Sequence, residues 1–271
     1  MLVWQNMHTH TRLSYCGGRD STVANTVAEA ESVGLRLIGI CDHVDVPESG
    51  REALMAQNRD ELAQIETPVR VLIGAEVTLV APDVLGTTRD ALERMDYVVI
   101  SANHFHLPHV AQPEQRTEEG YADRFLTMAE AAIGFGASII PHPFSYIGVR
   151  QMGDGRLVDR ERLLAAYDRG RVRRLFRLAA ERGTAFELNP GHVRAVPDFF
   201  AEMVRMGRDE GMKFSFGTDG HHPGQMHYGG PEALAQIERL YRCVGVTEAD
   251  VCAEFAVRLD ATRDGGSDIL V

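Results

Sequence analysis

Nearly every short apolar run in this 271-residue chain ends in a histidine or an acid. The runs cover 2–7, 35–41, 69–80, 97–101, 137–140, 184–188 and 213–216. At or just past their ends stand His8 and His10, Asp42 and His43, Glu76, His104, His142, Glu187, and finally Asp219 and His221. The runs are bounded by turn or charged residues and several are rich in Val and Ile, as buried parallel strands are. Amphipathic segments at 22–32, 52–66, 88–94, 122–134, 160–182 and 198–210 separate them. Such alternation predicts an α/β protein with a parallel sheet. The polar residues then choose the architecture. In a barrel the C-terminal strand ends converge on one mouth, where active sites lie. In an open sheet they would spread over too wide a front. The expected fold is a barrel with its site at the C-terminal ends of the strands.

The residue types at those ends suit metal ions. His8-Thr9-His10 follows a strand, and residues i and i+2 of a strand face the same side. An H-x-H pair alone is a weak signal and reads more readily as two surface or capping histidines. Glu76 sits in Leu-Ile-Gly-Ala-Glu-Val. A carboxylate there is costly to bury unless it is paired or metal-bound, and Arg70 or Arg94 offers the plainer pairing. His104 and His142 read singly as satisfied core histidines. Asp219 and His221 repeat the i, i+2 spacing near the other end of the chain. The joint pattern favours a metal site, and imidazole with carboxylate suits Zn, Mn or Fe.

Composition excludes other classes. The formal net charge of -11 argues against binding long nucleic acids. No run of 18 apolar residues suggests a membrane span, and the N-terminus lacks a signal-like pattern. Cys16, Cys41, Cys243 and Cys252 form no CxxC pair, which predicts a reduced, cytoplasmic protein. Cys41 reads as a small buried hydrophobe. Cys243 and Cys252 read as structural members of a C-terminal helical region. Residues 1–260 show neither linker nor repeat and read as one domain; 261–271 reads as a loose tail.

In order along the chain, HTHT, CDHV, GAEV, SANHF, PHP, ELNPG and GTDGHHP resemble the PHP (polymerase and histidinol phosphatase) superfamily, with ELNPG and Val193-Arg194 closest to its histidinol-phosphatase branch. The match spans His8 to Pro223. The resemblance implies a distorted (β/α)7 barrel and a trinuclear centre, so two or three divalent ions are the expected cofactors. It places the first ion on His8, His10, Glu76 and Asp219. The second falls on Glu76, His104 and His142, with Glu76 bridging. The third falls on His43 and His221, plus a histidine that this chain replaces with Cys16. A thiolate there would ligate and favour Zn; an inert thiol would leave that site weak.

The expected activity is hydrolysis of a small phosphomonoester by a metal-bridging hydroxide, with Glu76, Asp219 and His221 as the catalytic residues. Arg194 and Arg19 are candidate phosphate contacts. Glu187 would orient a ligand, and Asp42 would orient His43 or a first-strand histidine. His106, His109, His192, His222 and His227 read by default as solvated loop histidines. Two alternatives stand beside this reading: hydrolysis of nucleotides or other phosphoesters, and a non-catalytic metal-binding or regulatory module. Substrate loops are expected at 103–120 and 148–159.

Overall fold

The computed structural model describes residues 1–46, 50–145, 148–149, 152–226 and 230–256. The tail expected at 261–271 and His227 lie outside these residues. Strands β1 (Gln5–Thr9), β2 (Leu37–Val44), β3 (Arg70–Ala81), β4 (Val84–Leu85), β5 (Val98–Ser101), β6 (Ile139–Ile140), β7 (Ala185–Leu188) and β8 (Phe214–Phe216) make one sheet. Its path is β1-β2-β3-β5-β6-β7-β8, with every neighbour parallel. Only β4 runs antiparallel, folded back on β3.

The path closes on itself at the mouth. Thr9 bridges Gly220 in parallel, and the His10 N–H donates to the Gly220 carbonyl at 2.8 Å. The Asn6 side chain binds Thr218 through both amide atoms, at 2.9 and 3.1 Å. The (β/α)7 barrel expected from the sequence is the fold that forms. Its irregularity lies where it closes, because β1 and β8 share no ladder below that bridge. Extended residues near the end of the described chain fill the gap instead. Val251 bridges Phe214, the Cys252 N–H donates to the Phe214 carbonyl at 2.8 Å, and Gln5 Nε2 donates to the Cys252 carbonyl at 2.8 Å.

Inside the barrel, Cys252 and Phe255 join Met7, Cys41, Tyr97 and Val99 in one apolar cluster. Tyr97 crosses this interior and donates its hydroxyl proton to the Met7 carbonyl at 3.1 Å. Gly39 and Gly74 make room for it, since a Cβ on either would fall 2.2 Å from a Tyr97 oxygen. Cys41 is buried as expected. Cys252 corrects the sequence reading: it lies beyond the last helix, in the extended plug, while Cys243 ends that helix and is exposed.

The helices are α1 (Val23–Ser32), α2 (Leu54–Leu62), α3 (Arg89–Leu92), α4 (Glu118–Gly134), α5 (Arg160–Ala166), α6 (Arg169–Arg182), α7 (Pro190–Ala195), α8 (Pro197–Asp209), α9 (Pro223–Met226) and α10 (Pro231–Cys243). Most begin where a polar cap satisfies free N–H groups. Thr22, Thr88, Thr117, Asp159, Asp168 and Asn189 each accept from a first-turn N–H. The segment 160–182, which reads as one helix in sequence, breaks at Tyr167. There ψ turns to 117°, and the ring packs 5.0 Å from Phe144 and 5.8 Å from Phe125. Asp168 caps the new helix, and Arg169 Nη1 donates to the Leu164 and Tyr167 carbonyls at 3.0 and 2.9 Å, closing the old one. No helix among the described residues is long and apolar enough to cross a membrane.

Candidate metal centre

The strand ends deliver their polar side chains to a single point. Register sets the centre: His43 on β2 lies opposite Glu76 on β3. Glu76 has 0% exposure and is ringed by imidazoles. His142 Nε2 and His104 Nε2 approach its Oε1 at 3.0 and 3.2 Å. His43 Nδ1 lies 3.0 Å from its Oε2, and His8 and His10 Nε2 each lie 3.4 Å away. Asp219 Oδ1 faces His10 Nε2 at 3.0 Å and His8 Nε2 at 3.4 Å.

Three overlapping groups have ligand atoms within 4.8 Å of one another: His8, His10, Glu76 and Asp219; Glu76, His104 and His142; His10, His43 and His221. Glu76 joins the first two. Cys16, half-buried in the first mouth loop, belongs to none of these groups.

The far side of most rings is held. His8 Nδ1 meets Glu187 Oε2 at 2.5 Å. His142 Nδ1 meets Asn103 Oδ1 at 3.0 Å, while Asn103 Nδ2 donates to the His142 carbonyl. His104 Nδ1 meets the Thr78 hydroxyl at 2.9 Å, and that hydroxyl donates to Asp45 at 2.7 Å. His221 Nδ1 donates to the Asp219 carbonyl at 2.8 Å. Each partner accepts, so each Nδ1 carries a proton and each Nε2 faces the centre. Glu187 thus lies against the His8 ring. Gly217 gives it room: a Cβ there would meet Glu187 Oε2 at 2.8 Å and His8 Cβ at 2.6 Å.

This arrangement suits cations. His8 Nε2 and His10 Nε2 stand only 3.2 Å apart, a spacing that a shared proton or a cation between them satisfies. Glu76 Oε2 and His43 Nδ1 are buried 3.0 Å from each other, yet neither makes a well-directed hydrogen bond among the described residues. The backbone adds strain. His142 has φ 31° and Asp219 φ 52°, left-handed conformations worth about 1–3 kcal/mol each for residues with a Cβ. Phe144, at φ 60°, anchors the His142 turn in the aromatic cluster.

Protonation follows the same logic. Burial opposes a charge on Glu76, but His43, His8 and His104 hold its pKa well below the usual carboxylate value. Burial likewise opposes the charge on Asp219, and His8 and His10 pull its pKa well down. Burial keeps His43 well below an ordinary histidine and lowers His221, with His10 assisting. His8 goes the other way: against its burial, Glu187 and the neighbouring acids raise it well above.

The remaining candidates divide. Asp42 sits beneath the first mouth loop, accepting from the Thr11 N–H at 2.7 Å and the Ser14 hydroxyl at 2.8 Å. Arg19 and Arg194 are exposed and make no contact with the cluster among the described residues. His109 and His222 are exposed, as expected. His192 departs from the solvated default. Its Nδ1 is buried without a partner among the described residues, and burial, aided by His142, lowers its pKa to about 4. His106 packs its ring 5.2 Å from that of His104. The supporting Asn103, Thr78 and Ser14 escape sequence reasoning, because short polar residues beside ligands look like ordinary turn residues.

No family model and no curated protein matches the sequence. Solved structures do match. Histidinol phosphate phosphatase from Lactococcus lactis, solved with zinc, L-histidinol and phosphate, superposes with a TM-score of 0.66 at 18% identity, over 93% of this chain and 96% of that one. A candidate histidinol phosphatase from Listeria monocytogenes superposes with a TM-score of 0.58 at 16% identity, over 83% of this chain and 98% of that one. The chain shares their fold.

Proposed function

We propose that this chain is a metal-dependent phosphomonoesterase of the histidinol-phosphatase-like branch of the PHP superfamily, a single domain through residue 260. The observation that carries the proposal is the convergence of six imidazoles on Glu76 and Asp219, four of them with Nδ1 held from behind and Nε2 turned inward. In this reading His8, His10, Glu76 and Asp219 hold one ion, and Glu76, His104 and His142 a second. His43 and His221 hold a third, with Cys16 completing it. Zn, Mn and Fe all suit such donors. Bound there, the ions would lower the pKa of a water and neutralise phosphoryl oxygens.

The protein's own part is positioning. Glu76 spans two ion positions and fixes their separation. Asp219 holds the β8 side of the first. His221 is the most exposed of the six, at 26%; with Nε2 on the third ion and Nδ1–H on the Asp219 carbonyl, we assign it to positioning that ion at the rim, and a water would protonate the leaving alkoxide. Arg194 and Arg19 remain the proposed phosphate contacts, reached from the rim. The Lactococcus structure's L-histidinol and phosphate make histidinol phosphate the first substrate to try. Turnover of it would place the chain in histidine biosynthesis. The four free thiols fit a reducing cytoplasm.

The test is phosphate release from histidinol phosphate by Mn- or Zn-loaded protein, beside an aryl phosphate. Saturable turnover of histidinol phosphate alone supports the reading. Turnover of the aryl phosphate only keeps the chemistry and removes the substrate. Cleavage of neither sends the proposal back to nucleotide hydrolysis or a non-catalytic role. Glu76→Gln is expected to abolish turnover and lower metal content together; an active variant would refute the assignment.

A further inference from the structure

Ser14 lies on the first mouth loop, 3% exposed, and its hydroxyl touches three groups. It donates to Asp42 Oδ1 at 2.8 Å. It accepts from the His43 N–H at 3.1 Å. It faces His10 Nδ1 at 3.3 Å. The direction of the Ser14 proton is decided by Asp42. That carboxylate, 4% exposed, also receives the Thr11 N–H at 2.7 Å, the Thr11 hydroxyl at 2.8 Å and Asn58 Nδ2 at 2.7 Å. It is therefore surrounded by donors and offers only acceptors. The single Ser14 proton goes to Asp42, and what Ser14 shows to His10 is a lone pair.

We propose that Ser14, backed by Asp42, is a positioning residue that holds His10 as the Nδ1–H tautomer and so aims its Nε2 lone pair at the metal centre. The consequence reaches two ion positions, because His10 belongs both to the group with His8, Glu76 and Asp219 and to the group with His43 and His221. Ser14 also ties the β2 main chain at His43 to the same loop. One hydroxyl thus sets the orientation of one candidate ligand and the placement of another. The proposal rests on the metal reading for its purpose but not for its geometry.

Two readouts on Ser14→Ala separate the two. The first is the His10 tautomer in metal-free, 15N-labelled protein, seen in long-range proton–nitrogen spectra. The second is zinc affinity by chelator competition. Asp42 keeps three donors in this variant, so the fold should persist, and circular dichroism checks that it does. Asp219 Oδ1, 3.0 Å from His10 Nε2, competes for the ring proton in the metal-free protein, so expected are a proton on Nδ1 in the wild type, its loss in Ser14→Ala with Nε2–H left facing Asp219, and zinc binding weakened about 10- to 100-fold. An unchanged His10 tautomer in a folded Ser14→Ala overturns the proposal, as does unchanged zinc affinity in a wild type that binds zinc. A wild type that binds no zinc sinks the metal reading instead, and the tautomer alone then decides for or against Ser14.

Discussion

At the scale of single residues, the site concentrates unfavourable choices that a cation would offset. Two proposed ligands hold left-handed backbone, and a carboxylate with no exposure collects five imidazoles. Cys16 is the residue whose role is most open to experiment. Burial, with Glu76 and Asp219 nearby, pushes its thiol up to about 12. A thiolate there needs an adjacent positive charge, so it would form only with an ion in the third position. Cys16→Ser should therefore lower the zinc count by one ion. An unchanged count, measured by elemental analysis, would leave His10, His43 and His221 as that position's complete set.

At the scale of elements, the loop over 152–159 is pinned to α4 by one ion pair. Arg156 donates through both Nη atoms to Glu118, each at 2.5 Å. The Asp159 N–H adds a third bond at 3.0 Å. The Arg156 guanidinium is the main reason the Glu118 pKa falls from 4.5 to about 2. A depressed carboxylate stabilises the folded state fully above its unfolded pKa and loses that contribution as pH falls through the folded value. Glu118→Gln should thus cost about 2 kcal/mol at neutral pH. The difference from wild type should shrink between pH 4.5 and about 2. Equal denaturant midpoints for the two proteins at pH 7 would show that the pair does not matter to the loop. The capping residues act at this scale too, and Asp168 is why one amphipathic stretch became two helices.

At the scale of the whole molecule, the barrel is closed twice: at the mouth by loop residues of the site, and at the base by Val251 to Phe255. In the proposed reading, the first closure couples folding to metal. Ions that bind only the folded state stabilise it by roughly 2.7 kcal/mol at a hundredfold excess over Kd. For a chain of this size that moves Tm by roughly 5–10 °C. Stripping the ions with a chelator should lower Tm by that much and zinc should restore it. A Tm indifferent to chelation would mean that no ion is held by the fold.

The amino-acid order alone determined the alternation of strand and helix, the barrel, and the residues at its mouth. Those features are local. A short run of Val and Ile that must be buried, followed by His or Glu that must be satisfied, carries its meaning within ten residues. Where partners come from distant parts of the chain, sequence is silent. Glu187 meets His8 across 179 positions, and Asn58 reaches Asp42 from a helix. The plug at Cys252 pairs with Gln5 across 247 positions, so no local pattern reports it. His192 looked solvated because its own neighbours are loop-like; on α7 it is half-buried, with its Nδ1 shut away from water. Tautomers, strain and the final fit of the lone pairs are properties of packing, and packing is settled only when every strand has found its neighbour.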